Sequence, residues 1–569
     1  MKKHNTLKAV LITLCVVILL TWLVPGGSIQ TGKFQVIKDG SQLGLFNLFS
    51  YQQPLLQYFG YVVVFVLVVG GFYGILNNIP AYHALINKTS KQIETGKELC
   101  YAIPMAVLTA LVYMPAAIKF VGTLYGILAV VLVAVLLSAV ATLLAKILDN
   151  KYIFMILVMA LFASLVNVAG LQLVMFLLAP FVVSVMIKTG IDKKKVAIAT
   201  ISSILLGVMT TTYASTNLNA AYSMLNITNY NTNVVYKFIV LLLGLVILAY
   251  NLVETNKKVT EKVVVKEENK KDNVKEAKLT KETKVTKKTS KTTKSSKKTT
   301  KKTTKKNPNK ADLIDQDVIM LKAENVKQSL IPLAVILGLL AVLTVIAFMP
   351  WNTVFGVKYF EVLVKDISSY SIFGFKLFSK LLGGIVEFGG WSLNNLNILI
   401  FFTVLLIAFI YKVKLDDLID GFIDGVSKAV VPALLTGLVY LIVVINALHP
   451  FQAYIYNALL GLNKGFSLII TSLIAALGSV LNGDMTYTFY SILPQITLKA
   501  ADIKLNPLIA LTVQMIYGLV MFVAPTSVVL LYGLSKFEIN YTDWIKSVWK
   551  IVLELLVLVL IILVLVSLI

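Results

Sequence analysis

The sequence predicts an all-α polytopic membrane protein made of two inverted repeats, each holding a re-entrant hairpin and a broken helix. Composition is the first reason: 58% of the 569 residues are hydrophobic and 14% are charged. That gives far more apolar windows of membrane-spanning length than a soluble core needs. The second reason is internal likeness. Ile198-Ala199 and Ile509-Ala510 both open an apolar run, a glycine follows nine residues on at Gly207 and Gly518, and each run ends in a small, hydroxyl-rich break, Ala214-Ser215-Thr216-Asn217 or Ala524-Pro525-Thr526-Ser527. Upstream, Gly170 and Pro180 match Gly483 and Pro494 at nearly the same offsets.

In chain order, the run 9–24 follows Lys2, Lys3, His4 and Lys8 like the start of a signal peptide. It ends in Trp22 and Pro25-Gly26-Gly27 with no small-x-small cleavage site, so it reads as a retained anchor. Further spans are expected near 58–77, 100–118, 120–146, 151–168, 171–188, 196–213 and 234–253, then 328–348, 397–413, 429–447, 466–481, 485–498, 508–533 and 547–569. The short segments 171–188 and 485–498 are the expected hairpins, one per half, because an inverted repeat needs an odd number of crossings in each half. Lysines cluster before the first span, at 88–97, 146–151, 188–195 and 412–428 and in the central tract, which places these loops and the N-terminus in the cytoplasm.

Residues 254–312 form a Lys/Thr/Ser tract, and 257–310 alone carry 21 Lys against 6 acidic residues, or +15 of the net +24. Such a segment cannot bury a core and is expected to be disordered. It reads as a solvated linker, with attraction to anionic lipid headgroups or RNA as the sharper alternative, though no interleaved aromatics suit it to reading a nucleic-acid sequence. The expected divisions are therefore an N-terminal transmembrane repeat (1–253), a cytoplasmic linker (254–325) and a C-terminal transmembrane repeat (326–569). Segment 368–390, mixing aromatics with Lys376, Lys380 and Glu387, reads as an amphipathic element on the bilayer surface.

Several chemistries are excluded. Cys15 and Cys100 form no disulfide framework, His4, His83 and His449 form no metal motif, and no nucleophile–base constellation lies at membrane depth. The pairs Gly70-Gly71 and Gly383-Gly384 lack the Lys-Ser or Lys-Thr of a phosphate loop and suit close helix packing instead. Glu554 and His449 read as interfacial residues. The chain contains no arginine. An anionic ligand would have to be held by backbone N–H groups, hydroxyls, amides, helix N-termini or a bound cation.

Paired, polar-interrupted segments in corresponding places of two halves are the sequence mark of a transport site between repeats. Ser215, Thr216, Asn217 and Asn219 in the first break, and Pro525, Thr526 and Ser527 in the second, are therefore the candidate substrate-binding residues. An alternative is an interhelical patch in which hydroxyls bond carbonyls one turn back. Asn482, Asp484 and Thr486 lie between two apolar segments. An intramembrane carboxylate is costly, so Asp484 either carries a proton or cation, with Asn482 and Thr486 beside the substrate, or is a turn residue at a hairpin tip.

Thr21-Trp22-Leu23-Val24-Pro25-Gly26-Gly27, the stretch from Phe65 to Leu76, Phe422-Ile423-Asp424-Gly425, Ala524-Pro525-Thr526-Ser527 and Tyr541-Thr542-Asp543-Trp544 resemble the YfcC-like branch of the anaerobic dicarboxylate carrier family, in the ion transporter superfamily. The likeness covers most of 10–90, 150–250 and 410–560. Gly170-Leu171-Gln172 stands where that family tends to have an acidic pair, and residues 91–146 look like extra spans. The resemblance implies inverted repeats and ion-coupled movement or exchange of a small organic anion, a dicarboxylate, or an amino acid. The rival readings are a membrane scaffold or a channel using the basic tract for lipid or partner binding. The expected protein is no enzyme and has no cofactor beyond Na⁺ or H⁺ as coupling ion. Its expected partners are a small-molecule substrate, the lipid bilayer and a second copy in a homodimer, with no nucleic acid. Its expected place is the plasma (inner) membrane.

Overall fold

A computed structural model describes residues 5–253 and 329–568, apart from 31, 38–41, 45, 97–100, 214, 230, 372, 377–378, 381–382, 385 and 501. Residues 1–248 and 327–569 form one compact unit; of the other, 249–326, only the end of one helix is described. The central tract 254–325 thus lies outside the described residues, as do His4 and Cys100. The first unit is helical throughout, save for a short antiparallel hairpin.

The chain begins with α1 (Asn5–Leu23), the hairpin β1 (Gly26–Gln30) and β2 (Lys33–Ile37), then α2 (Gln52–Asn77) and α3 (Pro80–Thr95). Next come α4 (Ala102–Val112) and α5 (Met114–Val121), a pair bent by 47°, and α6 (Thr123–Leu144). The first half closes with α7 (Asn150–Ala169), α8 (Met175–Lys188), α9 (Lys193–Met209), α10 (Ser215–Met224) and α11 (Val234–Val253). The second half holds α12 (Ile331–Phe348), α13 (Tyr359–Ser369), α14 (Leu393–Tyr411), α15 (Leu415–Leu448) and α16 (Phe451–Leu460). It ends with α17 (Leu468–Leu481), α18 (Met485–Ala500), α19 (Asn506–Val520), α20 (Val528–Phe537) and α21 (Tyr541–Leu568). Among the described residues, 10 helical segments are long and apolar enough to cross a membrane, or 11 if the bent pair is one span. The protein is a polytopic helical membrane protein.

Local chemistry sets the boundaries. Gly170 ends α7 at φ +63, a left-handed cap open to glycine at little cost, and its N–H bonds Val166 O at 2.9 Å. Asp192 opens α9 by accepting from the Lys194 and Lys195 N–H groups at 3.0 and 3.4 Å. Ser467 caps α17 and Ser527 caps α20 in the same way. Pro507 sits in the first turn of α19, where a missing N–H costs nothing.

Burial separates lipid-facing from central helices. In α6 only 11% of the most apolar window is covered by protein, against 78% in α7. A helix apolar all round and largely uncovered needs lipid as its solvent. At the centre α2 crosses α15 with almost no gap. A Cβ at Gly74 would overlap the Gly421 carbonyl, and one at Gly425 the Gly70 carbonyl. Two of the stretches that carry the family resemblance are thus one small-residue helix crossing. Gly383 and Gly384, by contrast, lie exposed with open space around them and pack no helix.

Some sequence expectations change. The run 508–533 is two helices, α19 and α20, parted by residues 521–527. The run 429–447 is only part of the 34-residue α15. The segment 368–390, expected as an amphipathic surface element, holds the end of α13 among the described residues, with Tyr370, Phe373 and Phe375 exposed beyond it. His449 is buried rather than interfacial, its Nε2 2.7 Å from the Tyr51 hydroxyl, while Glu554 lies 3.7 Å from Lys550 one turn earlier.

Candidate functional site

Four helices stop inside the protein, and their breaks need partners because nothing else there can bond a freed backbone group. In the first half Asn167, two residues before the α7 end, does this for the break after α9. Its Nδ2 donates to Thr210 O, its Oδ1 accepts from Thr212 Oγ1 at 3.0 Å, and its carbonyl accepts the Thr212 N–H at 2.8 Å. Two further donors reach Thr211 O: Gln514 Nε2 from α19 at 2.6 Å, and Lys237 Nζ from α11 at 3.0 Å. Lys237 is 1% exposed and also donates to the Tyr222 hydroxyl at 3.2 Å.

The second half repeats the pattern with other residues. Thr526 Oγ1 donates to Val480 O at 2.9 Å, tying the break between α19 and α20 to the end of α17. Trp544 Nε1 of α21 donates to Phe522 O at 2.9 Å, and the Tyr541 hydroxyl to Val523 O. The turn between α17 and α18 lies so close to that break that a Cβ on Gly483 would overlap the Thr526 carbonyl. The two broken helices meet at Gly518, where a Cβ would strike the backbone of Met209.

Around this junction lies a cavity of about 900 Å³. Gly170, Gln172 and Leu173 from the first turn, and Gly483, Asp484 and Met485 from the second, line it. So do Asn219 of α10 and Ser527, Val528 and Val529 at the start of α20. Tyr61, Tyr440 and Tyr517 add aromatic walls, and Trp391-Ser392-Leu393-Asn394 brings in the start of α14. The N-termini of α8, α14, α18 and α20 therefore all border one space, each presenting the positive end of a helix dipole. Asp484 caps α18 by accepting the Tyr487 N–H at 2.8 Å, and Tyr517 donates to Gly483 O at 3.0 Å to fix the same turn. Asn219 Oδ1 is buried and without a hydrogen-bond partner.

Of the residues singled out in the sequence, Asn219, Asp484 and Ser527 line the cavity. Ser215, Thr216 and Asn217 open α10, and their side chains lie outside the described residues. Asn482 is fully buried in an amide network: it accepts from Asn446 Nδ2 at 2.7 Å and donates to Gln452 Oε1 at 2.8 Å. Thr526 is equally buried in its bond to Val480, and neither Thr486 nor Pro525 borders the cavity. Lys237, Gln514 and the three tyrosines were not singled out. Lys237 had a signal, a single charge inside the apolar run 234–253; the tyrosines had none.

A chain of this kind, with spanning helices broken around a cavity of mixed polar and apolar lining, has the build of a membrane carrier. The family model of the C4-dicarboxylate anaerobic carrier matches residues 368–568, so that part of the chain is similar to this carrier family. The match takes in α14 to α21, with Asp484 and Ser527, and leaves 10–90 and 150–250 outside. It does not separate the YfcC-like branch from the rest. A search of curated proteins gave no match.

Proposed function

We propose that the protein is an ion-coupled carrier of a C4-dicarboxylate, with the cavity between the two sets of breaks as its substrate site. The observation that supports this most is the meeting of four helix N-termini in a chain with no arginine. Dipole ends and backbone N–H groups can hold carboxylates where no guanidinium is present. Gln172, Asn219 and Ser527 add neutral polar contacts.

Asp484 supplies the reason for coupling. At an effective dielectric of about 20, two negative charges about 5 Å apart repel by roughly 3 kcal/mol. A dicarboxylate would therefore enter with a proton on Asp484 or a cation beside it. On this reading the two halves work as inverted repeats, and the lysine-rich loops and N-terminus face the cytoplasm of a plasma membrane. An amino acid is the second substrate class; its ammonium group would suit Asp484, the one acidic residue of the cavity lining among the described residues.

The test is counterflow in proteoliposomes with labelled succinate and labelled amino acids, with and without a Na⁺ or H⁺ gradient. Succinate counterflow, raised by one of the gradients, is expected. Amino-acid counterflow without succinate counterflow would replace the substrate class.

A further inference from the structure

A second chamber, of about 190 Å³, lies between α2, α3, α8, α9 and α20; α9, α20 and the start of α8 also border the main cavity. On α9 the cavity is lined by Leu205 and Val208 and the second chamber by Thr200, Ile201 and Ile204, one turn further toward the helix start. On α20 Val529 lines both spaces, while Tyr532 and Lys536 line only the second. Within the lining of the second chamber Phe176 of α8 stacks on Tyr532, with ring centroids 3.7 Å apart and planes 8° from parallel. The pair joins a first-half helix to a second-half helix.

We propose that this chamber is the inner stretch of the substrate path, and that the Phe176–Tyr532 stack is the barrier between it and the main cavity. Three further features fit passage of an anion. Lys193 and Lys536 border the chamber, and Lys193 is held to the exposed Glu538 at only 3.2 Å, a pair that solvent weakens. The Thr200 hydroxyl is buried, has no partner and lines the chamber, so it can donate to a passing carboxylate. The chamber also reaches Ile187 and Lys193 at the lysine-rich turn 188–195, cytoplasmic on the charge rule. Aromatic faces in contact exclude water and ions until the rings part. Since the rings belong to different halves, a movement that draws α20 away from α8 separates them. The inference rests on the carrier reading but not on which anion is carried.

The experiment replaces Cys15 and Cys100 by serine, places a cysteine at Thr200, and applies a charged, membrane-impermeant methanethiosulfonate to either face of sealed vesicles. In the parent background Thr200→Cys should react from the cytoplasmic face only. With Tyr532→Ala added it should react from both faces, at least tenfold faster from the outer one, while Tyr532→Phe, which keeps the stack, should behave as the parent. Phe176→Leu provides a second opening variant should Tyr532→Ala not fold. Outer-face reactivity already present in the parent, or none in either opening variant, overturns the proposal. The labelling pattern together with absent succinate counterflow upholds the path and removes only the substrate assignment.

Discussion

Asp484 holds two positions at once: it caps α18 through the Tyr487 N–H, and it borders the cavity. The sequence showed a carboxylate between two apolar segments and left open whether it was a turn residue or a coupling group; the geometry has it in the turn and facing the cavity. Asn caps helices as well as Asp does, so Asp484→Asn should keep the fold. It removes the charge that a proton or cation would neutralise. We expect gradient-driven accumulation to fall to near equilibrium while substrate exchange persists, measured in the same proteoliposomes. Accumulation equal to the parent would reject the coupling role. Asn219 and Ser527 were legible for a similar reason, as polar groups where lipid-facing helices carry none. Tyr61, Tyr440 and Tyr517 were not, because tyrosines at helical spacing look the same whether they face a core or a cavity.

The helices themselves were largely legible from apolar runs, and the two breaks from their small, hydroxyl-rich residues, but what holds each break was not, since hydropathy does not register distant hydrogen-bond partners. The stretch 521–527 is apolar apart from Thr526 and Ser527, yet its backbone leaves the helix and is held by Trp544, Tyr541 and Val480. Those partners lie 18 to 46 residues away, beyond any local pattern. What the sequence did carry was the pairing of Gly207 with Gly518 and of Gly170 with Gly483, and three of these four mark a place where a break or turn is tightly packed or sharply bent. Gly483→Ala tests this at the level of the element. Its Cβ would meet the Thr526 carbonyl, which cannot swing aside without moving the whole break. Overpacking of this kind costs about 1–3 kcal/mol. We expect uptake below a tenth of the parent with helical circular dichroism unchanged; uptake within twofold would show that the turn does not need to touch the break.

On the scale of the whole molecule, the described halves build one compact unit although a long lysine-rich tract separates them in sequence. From its composition we expect this tract to do no more than tether them. Replacing residues 258–308 by a Gly/Ser linker of similar length should leave uptake within about twofold, and loss of folded protein in detergent would contradict that. The central claim is that residues from both halves share one site for a C4-dicarboxylate, and it is tested most directly by substrate protection. Single cysteines at Asn219 and at Ser527, in a background without Cys15 and Cys100, would be alkylated in proteoliposomes over a range of succinate concentrations. Succinate should slow both reactions with the same half-maximal concentration, because one bound molecule covers both positions; protection of neither, or of only one of the two, would contradict the shared site.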